Sequence, residues 1–360
     1  MKRIWQLCAL TALAAGIASA HAAPRDRSLD NVQGGDVASV QTSVQSAKAY
    51  HRAADDVTVS VQFTNTGSAA VTLPQWLLDG DEVDRSFLKV TRNGAAVPYT
   101  AALVKRAHPT ADELVVLMPG QSITASYELS SAFDLSSGGS FEVSFGTVAQ
   151  NAATSNVQPS ESISIGVEAN PFRDIITDID YSKAAGAGGI SYTGKCTASQ
   201  KSSLVTALGN ALVYSDGAKN YLTNTTPSGT PRYSTWFGTY SSANWNTVKS
   251  HYTNISSVYN TQPIVFDCSC KKTNTYAYVY PSQPYKIYLC GAFWNAPATG
   301  TDSKAGTLVH ETSHFMVVAG TQDYAYGQSA AKSLAISNPS QAIMNADSHE
   351  YFAENTPAQQ

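Results

Sequence analysis

Charge is scarce in this chain. Only 14% of its 360 residues are Asp, Glu, Lys or Arg, against about 25% in an average soluble protein. That excludes a disordered acidic or basic tail, which depends on charge to stay unfolded. The formal net charge is −4 and the isoelectric point is about 6.0, so no basic face is offered to nucleic acid. Long apolar runs are missing beyond the first residues, whereas a membrane-spanning helix needs about 20 consecutive apolar residues. Cysteine is absent between Cys8 and Cys196. What the chain has in quantity is hydrophobic residues, 43% of the total, enough for sizeable cores. Its length suggests two domains.

The N-terminus carries the marks of export. Lys2 and Arg3 precede an apolar stretch over residues 4–17. Two small-residue cleavage sites follow, Ala18-Ser19-Ala20 and Ala20-His21-Ala22. Residues 1–22 are therefore expected to be a secretory signal peptide, and the rest a soluble, extracellular chain. Cysteine usage agrees. Beyond Cys8, the four cysteines are Cys196, Cys268, Cys270 and Cys290. An even number in an exported chain implies disulfides. A Cys268–Cys270 bond would close a strained loop, which leaves two pairings open. The CxC spacing with scattered partners does not suit a zinc knot.

The two halves differ in charge and texture. Residues 24–182 hold 10 Lys and Arg against 19 Asp and Glu, while residues 183–360 hold 11 against 8. The first half alternates with period two at 57–63, and further strands are expected at 70–73, 87–91, 114–117, 122–129, 140–145 and 162–167. Short strands at this spacing predict an antiparallel β-sandwich over residues 23–182. A Gly-rich stretch at 184–189 reads as a linker. Residues 183–360 predict an α+β domain. Helices are expected at 197–215, 243–259, 303–318, 328–336 and 347–354, and strands at 264–267, 275–280 and 286–289.

The strongest pattern is His310-Glu311-Thr312-Ser313-His314. On a helix, residues four apart share a face, so both imidazoles can grip one Zn²⁺ with Glu311 beside it to handle a water. A catalytic zinc needs a third protein ligand and one open position. The extended motif H-E-x-x-H-x-x-G-x-x-H is excluded, because Val317 and Gly320 stand where it needs Gly and His. Asp323, just past the Gly that should end the helix, is the favoured third ligand on spacing. Glu350 or His349 would serve only through a longer return of the chain.

Gly320-Thr321-Gln322-Asp323-Tyr324-Ala325-Tyr326-Gly327 resembles the G-T-x-D-x-x-Y-G motif of the aspzincins, the deuterolysin-like zinc metallopeptidases. From Tyr192 onward the chain is similar to the fungal peptidyl-Lys metalloendopeptidases. The stretches from Cys290 to Trp294 and from Asn345 to Phe352 carry that likeness. The signal peptide and long acidic pro-region add a likeness to the secreted, toxic aspzincin endopeptidases of Aeromonas, associated with virulence. The resemblance implies His310, His314 and Asp323 as zinc ligands, Glu311 as general base and then acid, and Tyr326 as oxyanion support. It implies Asp347 and Glu350 as the pocket for a lysine on the C-terminal side of the cut bond. It also implies the disulfides Cys196–Cys268 and Cys270–Cys290.

Chemistry supports those roles independently. The tetrahedral intermediate of peptide hydrolysis needs a donor for its oxyanion, and a Tyr hydroxyl three residues past the third ligand can reach it. Asp347 and Glu350 share a helix face and repel each other unless a cation sits between them. The compact ammonium of Lys suits such a pair. The expectation is a monomeric zymogen with one Zn²⁺, acting on proteins and peptides. Its pro-domain (23–182) would inhibit it and be cut off near Lys183, with Lys105 in an exposed loop at 105–109 as a candidate for the pocket. The competing reading is an exported β-sandwich binding or adhesion protein with a degenerate zincin domain, against which the intact Glu311 argues.

Overall fold

The alternating stretch expected at 57–63 is a strand in the computed structural model, which describes residues 39–53, 55–80, 84–146, 157–170 and 189–359. The expected signal peptide, Lys183 and residues 184–188 of the Gly-rich stretch lie outside the described residues. The first half runs β1 (Val40–Gln45), β2 (Tyr50–His51), β3 (Thr58–Asn65), β4 (Val71–Pro74), α1 (Gln75–Leu78), β5 (Leu88–Arg92), β6 (Ala95–Ala96), β7 (Leu103–Arg106), β8 (Leu114–Leu117), β9 (Ser122–Glu128), β10 (Gly139–Phe145) and β11 (Ile163–Val167). Strands β1-β3-β9 form one sheet, β2-β11-β10-β5-β6 a second and β4-β8 a ribbon. All these pairings are antiparallel except β2 with β11.

Alternation explains how the sheets meet. Val59, Val61 and Phe63 of β3 are fully buried, as are Phe141, Val143 and Phe145 of β10. Phe63 meets Phe145 edge-on with ring centroids 5.3 Å apart, and Phe87 lies between Tyr127 and Phe145. One apolar core therefore fills the space between the two larger sheets.

The second half runs β12 (Ile190–Thr193), α2 (Ala198–Asn224), α3 (Pro231–Phe237), α4 (Ser242–Thr261), β13 (Ile264–Asp267), β14 (Thr275–Val279), β15 (Lys286–Leu289), α5 (Gly291–Asn295), α6 (Lys304–His314), α7 (Gly327–Ser337), α8 (Pro339–Ala342) and α9 (Ala346–Glu354). Its own core packs the helices against the sheet. Cys196 is bonded to Cys268 and Cys270 to Cys290, which ties the ends of β13 and β15 to neighbouring segments.

Three expectations change. Helix α2 runs to Asn224, not residue 215, because Ala218 and Leu222 continue the buried stripe of Leu204, Ala207, Ala211 and Ser215. Helix α6 ends at His314, not residue 318. The amides of Val318, Ala319 and Gly320 all turn back to Phe315 O, with Gly320 at φ 61°. That early stop folds the chain back under the histidines. The largest change concerns residues 105–109. Instead of an exposed loop, Leu103–Arg106 is a strand buried at every position. It also leaves the sheets of its own half. Strand β7 pairs antiparallel with β14 and completes a sheet of order β12-β13-β15-β14-β7. Lys105 and Arg106 hide this in the sequence, since only the partner segment makes their burial possible.

Helices α4 and α9 meet through two buried histidines. His251 Nδ1 lies 3.0 Å from His349 Nε2, and His349 Nδ1 lies 2.9 Å from Asn345 O. Burial pushes His251 down to about 4 and His349 to about 3, the latter also repelled by His251. Unfolded histidine titrates near 6.5. The unfolded chain therefore takes up protons first as pH falls, and stability present above about 6.5 is lost as pH drops toward 4. Urea unfolding between pH 7 and 4 should show a loss on the order of several kcal/mol. His251→Gln should flatten that slope. An unchanged slope in the variant would place the acid sensitivity elsewhere.

Candidate metal centre

Ser303 starts the helix that matters most. Its hydroxyl accepts from the Gly306 amide at the N-terminus of α6, as an N-cap does. One turn apart near the C-terminus, His310 and His314 stand with ring centroids 4.8 Å apart. Gly320 then reverses the chain, and Thr321 N donates to Ser313 O. This return carries Asp323 to the imidazoles. Asp323 Oδ1 lies 3.2 Å from His310 Nε2 and 3.4 Å from His314 Nε2. One ligand atom from each of the three residues falls within 4.8 Å of the others.

Asn345 holds the returning loop. Its Oδ1 accepts from the amides of Tyr324 and Ala325, each at 2.9 Å, while Gln322 exchanges backbone bonds with Met344 and Ala346. The distal nitrogens are fixed from outside. His314 Nδ1 lies 2.9 Å from Thr321 O, and His310 Nδ1 lies 2.8 Å from Asp347 Oδ1. A proton on Nδ1 of each ring would leave both Nε2 lone pairs for the centre, as metal-binding histidines require.

Six polar atoms converge here with no well-formed hydrogen bond: both Nε2 atoms, both Asp323 oxygens and both Glu311 oxygens. All lie in fully or nearly fully buried side chains. Orphaned buried polar groups are costly, and two imidazoles with a carboxylate are the donor set of a catalytic zinc. The electrostatics agree. Burial resists ionisation of Asp323, yet His314 and His310 hold its carboxyl far below the usual range. Burial pushes Glu311 up to about 7, against the pull of both histidines. Glu311 is thus placed beside the cluster but not among its three ligand atoms. His349 is turned away toward His251.

Next to this centre lies an acidic pocket. Asp347 and Glu350, on the first turns of α9, are both buried. The Lys105 ammonium of β7 sits 2.6 Å from Glu350 Oε2, 3.4 Å from Asp347 Oδ1 and 3.5 Å from Asp302 Oδ1. It also lies 5.2 Å from the centre of the Tyr276 ring. Burial opposes charge on Lys105, but Asp347, Glu350 and Asp302 outweigh it and hold the proton tightly. Burial likewise resists ionisation of Asp347, yet Lys105 and His310 keep it ionised. Glu350 is pushed up by burial despite Lys105. Tyr326, at the start of α7, donates its hydroxyl to Val104 O, at 2.5 Å. Asp302, an N-cap candidate in the sequence, and Asn345, the first residue of the stretch ending at Phe352, give no sign there of these contacts, and Tyr276 is one of 19 tyrosines.

The chain is 43% identical over 316 residues to an extracellular protease of Aeromonas hydrophila, covering 85% of this chain and 90% of the relative. The chain belongs to the aspzincin family. The family's sequence profile, described as lysine-specific metallo-endopeptidase, matches residues 221–354. A peptidyl-Lys metalloendopeptidase of Armillaria mellea is 41% identical, with 85% of this chain and 89% of that one covered. A solved zinc peptidase from Grifola frondosa is 54% identical and covers 46% of this chain and 100% of its own, with a TM-score of 0.44. This aspzincin is a metalloendopeptidase with zinc as cofactor. Among the described residues no helix is long and apolar enough to cross a membrane.

Zinc retention separates the roles. Asp323→Ala should lose most of its metal on dialysis, while Glu350→Gln should keep it, as read by atomic absorption. Asp347→Asn, which loosens His310 without removing a ligand, should lower zinc affinity by about 10- to 100-fold. Metal loss in Glu350→Gln with retention in Asp323→Ala would reverse the ligand assignment.

Proposed function

We propose that this aspzincin is a secreted endopeptidase, made as an inactive precursor, that cuts on the amino side of lysine. One observation carries the reading: Lys105 fills the acidic pocket while the carbonyl before it meets the Tyr326 hydroxyl. That is the way a substrate lysine following the cut bond would lie. Export is supported by the leader-like N-terminus and by the relative named as an extracellular protease. The fungal relative's name supports the lysine preference. In this reading residues 23–182 are the pro-domain and 183–360 the mature enzyme, released by a cut near Lys183.

His310, His314 and Asp323 would hold the metal. Bound zinc makes water more acidic and polarises a carbonyl. Glu311, raised to about 7 by burial, is poised to accept a proton near neutral pH and to hand it on. Tyr326 donates to the oxygen that becomes negative. Asp347, Glu350 and Asp302 receive the lysine ammonium, and the Tyr276 ring adds a cation–π face. The binding-protein alternative has no observation in its favour, since Glu311 stands intact beside the donor set.

Digestion of an unfolded protein mixture, read by mass spectrometry, tests the reading. New N-termini should be dominated by lysine, and a chelator should stop the reaction. A map dominated by apolar residues after the cut would sink the pocket assignment. Glu311→Ala should retain zinc and lose activity by orders of magnitude. Casein cleavage near the parent rate in that variant would remove Glu311 from the mechanism. The uncut parent precursor should be nearly inert on a small lysine peptide, and full activity there would remove the inhibitory role.

A further inference from the structure

We propose that the Val104–Lys105 peptide bond is this enzyme's first substrate, hydrolysed within its own molecule, with both new ends kept in place. The inference rests on the reading of the chain as a lysine-directed endopeptidase. Two separate contacts bracket this one bond. On its acyl side, Val104 O accepts from the Tyr326 hydroxyl. On its amine side, the Lys105 side chain enters the pocket of Asp347, Glu350 and Asp302. The strand ladder fixes the register, with Val104 opposite Tyr278 and Lys105 opposite Ala277 of β14. A slip by one residue would turn the lysine to the other face of the sheet and out of the pocket. Carbonyl and side chain are therefore both in productive register, and Glu311 is buried on α6, which packs against β7.

The step balances as simple hydrolysis. The oxygen of water bonds to the Val104 carbonyl carbon. The bond to Lys105 N breaks, and its electron pair stays on nitrogen. Glu311 takes a proton from the water and delivers it to that nitrogen. The second proton of the water also ends on that nitrogen, so the products are a Val104 carboxylate and a Lys105 α-ammonium. No reagent beyond water is needed.

Neither product is free to leave. On the N-terminal side Leu103 and Val104 are buried, and Ala102 O accepts from the Tyr99 hydroxyl at 2.9 Å. On the C-terminal side Arg106 Nη1 lies 2.8 Å from Asp84 Oδ2, its guanidinium 4.1 Å over the Trp76 ring. Ala107 N donates to Asn274 O. Residues of the β-rich half thus grip both sides of the bond. After the cut, Lys105 stays in the pocket, so this cleavage precedes activation and does not cause it.

The experiment follows the full-length parent chain after purification in chelator and addition of zinc. Intact mass spectrometry should show a fragment ending at Val104 and one beginning at Lys105. They should form with one rate constant at widely different protein concentrations and co-elute on gel filtration. Lys105→Ala should abolish this pair, and Lys105→Arg, which keeps the charge and the strand, should slow it at least tenfold. In the Glu311→Ala chain the pair should be absent. There, Lys105 should resist amine acylation while exposed Lys48 reacts. Equal labelling of the two lysines, a rate that rises with concentration, or processing that never yields a Lys105 N-terminus would each overturn the inference. If casein is cut before lysine while Lys105 is spared, the inference alone fails. If nothing is cut before lysine, the functional reading fails with it.

Discussion

A buried ammonium among buried carboxylates organises this molecule. Lys105 is 2% exposed and Glu350 is fully buried, with the ammonium 2.6 Å from the carboxylate. Neither charge would survive there alone, since removing one partner of a buried pair typically costs about 3–5 kcal/mol. The acids of α9 and the loop before α6 belong to one half of the chain, and the lysine to the other. The two hydrophobic cores are each built from one half. The cation therefore welds together parts that fold on separate apolar cores. Strand β7 adds main-chain bonds along the edge of β14, an edge that would otherwise stand open to any extended peptide.

The pocket and the metal centre are not independent sites. Asp347 touches both, with Oδ1 at 2.8 Å from His310 Nδ1 and 3.4 Å from Lys105 Nζ. Its other oxygen accepts from Gly327 N. A cation in the pocket shares the negative charge that faces His310 Nδ1. Filling the pocket therefore changes the basicity of His310 through one carboxylate. Gly306 shows how tightly the acids are packed behind this pair. A Cβ there would fall 2.1 Å from Glu354 Oε1 and 2.9 Å from Glu350 Oε1.

Local patterns were legible where chemistry and spacing coincide within one segment. The His310/His314 pair needs only a helical turn, and Gly320 announces the reversal that brings Asp323 back. Alternation in residues 57–63 exposes β3 because one face meets a core and the other meets water. Sequence alone fails where burial is conferred from far away. Lys105 and Arg106 look like a loop; pairing with β14 makes a strand of them, while Glu350, 245 residues after Lys105, and Asp84 take up their charges. Asp302 and Asn345 are equally silent, since each acts through a contact with a distant segment. The end of α6 was misplaced for a related reason. Met316, Val317 and Val318 look like a continuing apolar helix, yet Met316 and Val317 are exposed. The hydrogen bonds that close the turn pull the chain away earlier than hydropathy suggests.

The proposed selectivity and the proposed restraint would share one physical basis. A pocket of three carboxylates accepts any correctly placed ammonium, whether from a substrate or from the chain's own β7. The tethered lysine is favoured because its effective concentration is that of an intramolecular partner, in the millimolar range or above for a short connection. Buried strand pairing and the Arg106–Asp84 contact raise that advantage further. A free peptide lysine, meeting the same acids with no such anchoring, cannot displace it at ordinary concentrations. On the proposed reading the restraint would be lifted by loss of the tether and of the anchoring sheets, not by competition. In the proposed reading, weakening the acids would relieve inhibition only by blunting the recognition of lysine, so the two properties would be kept or lost together.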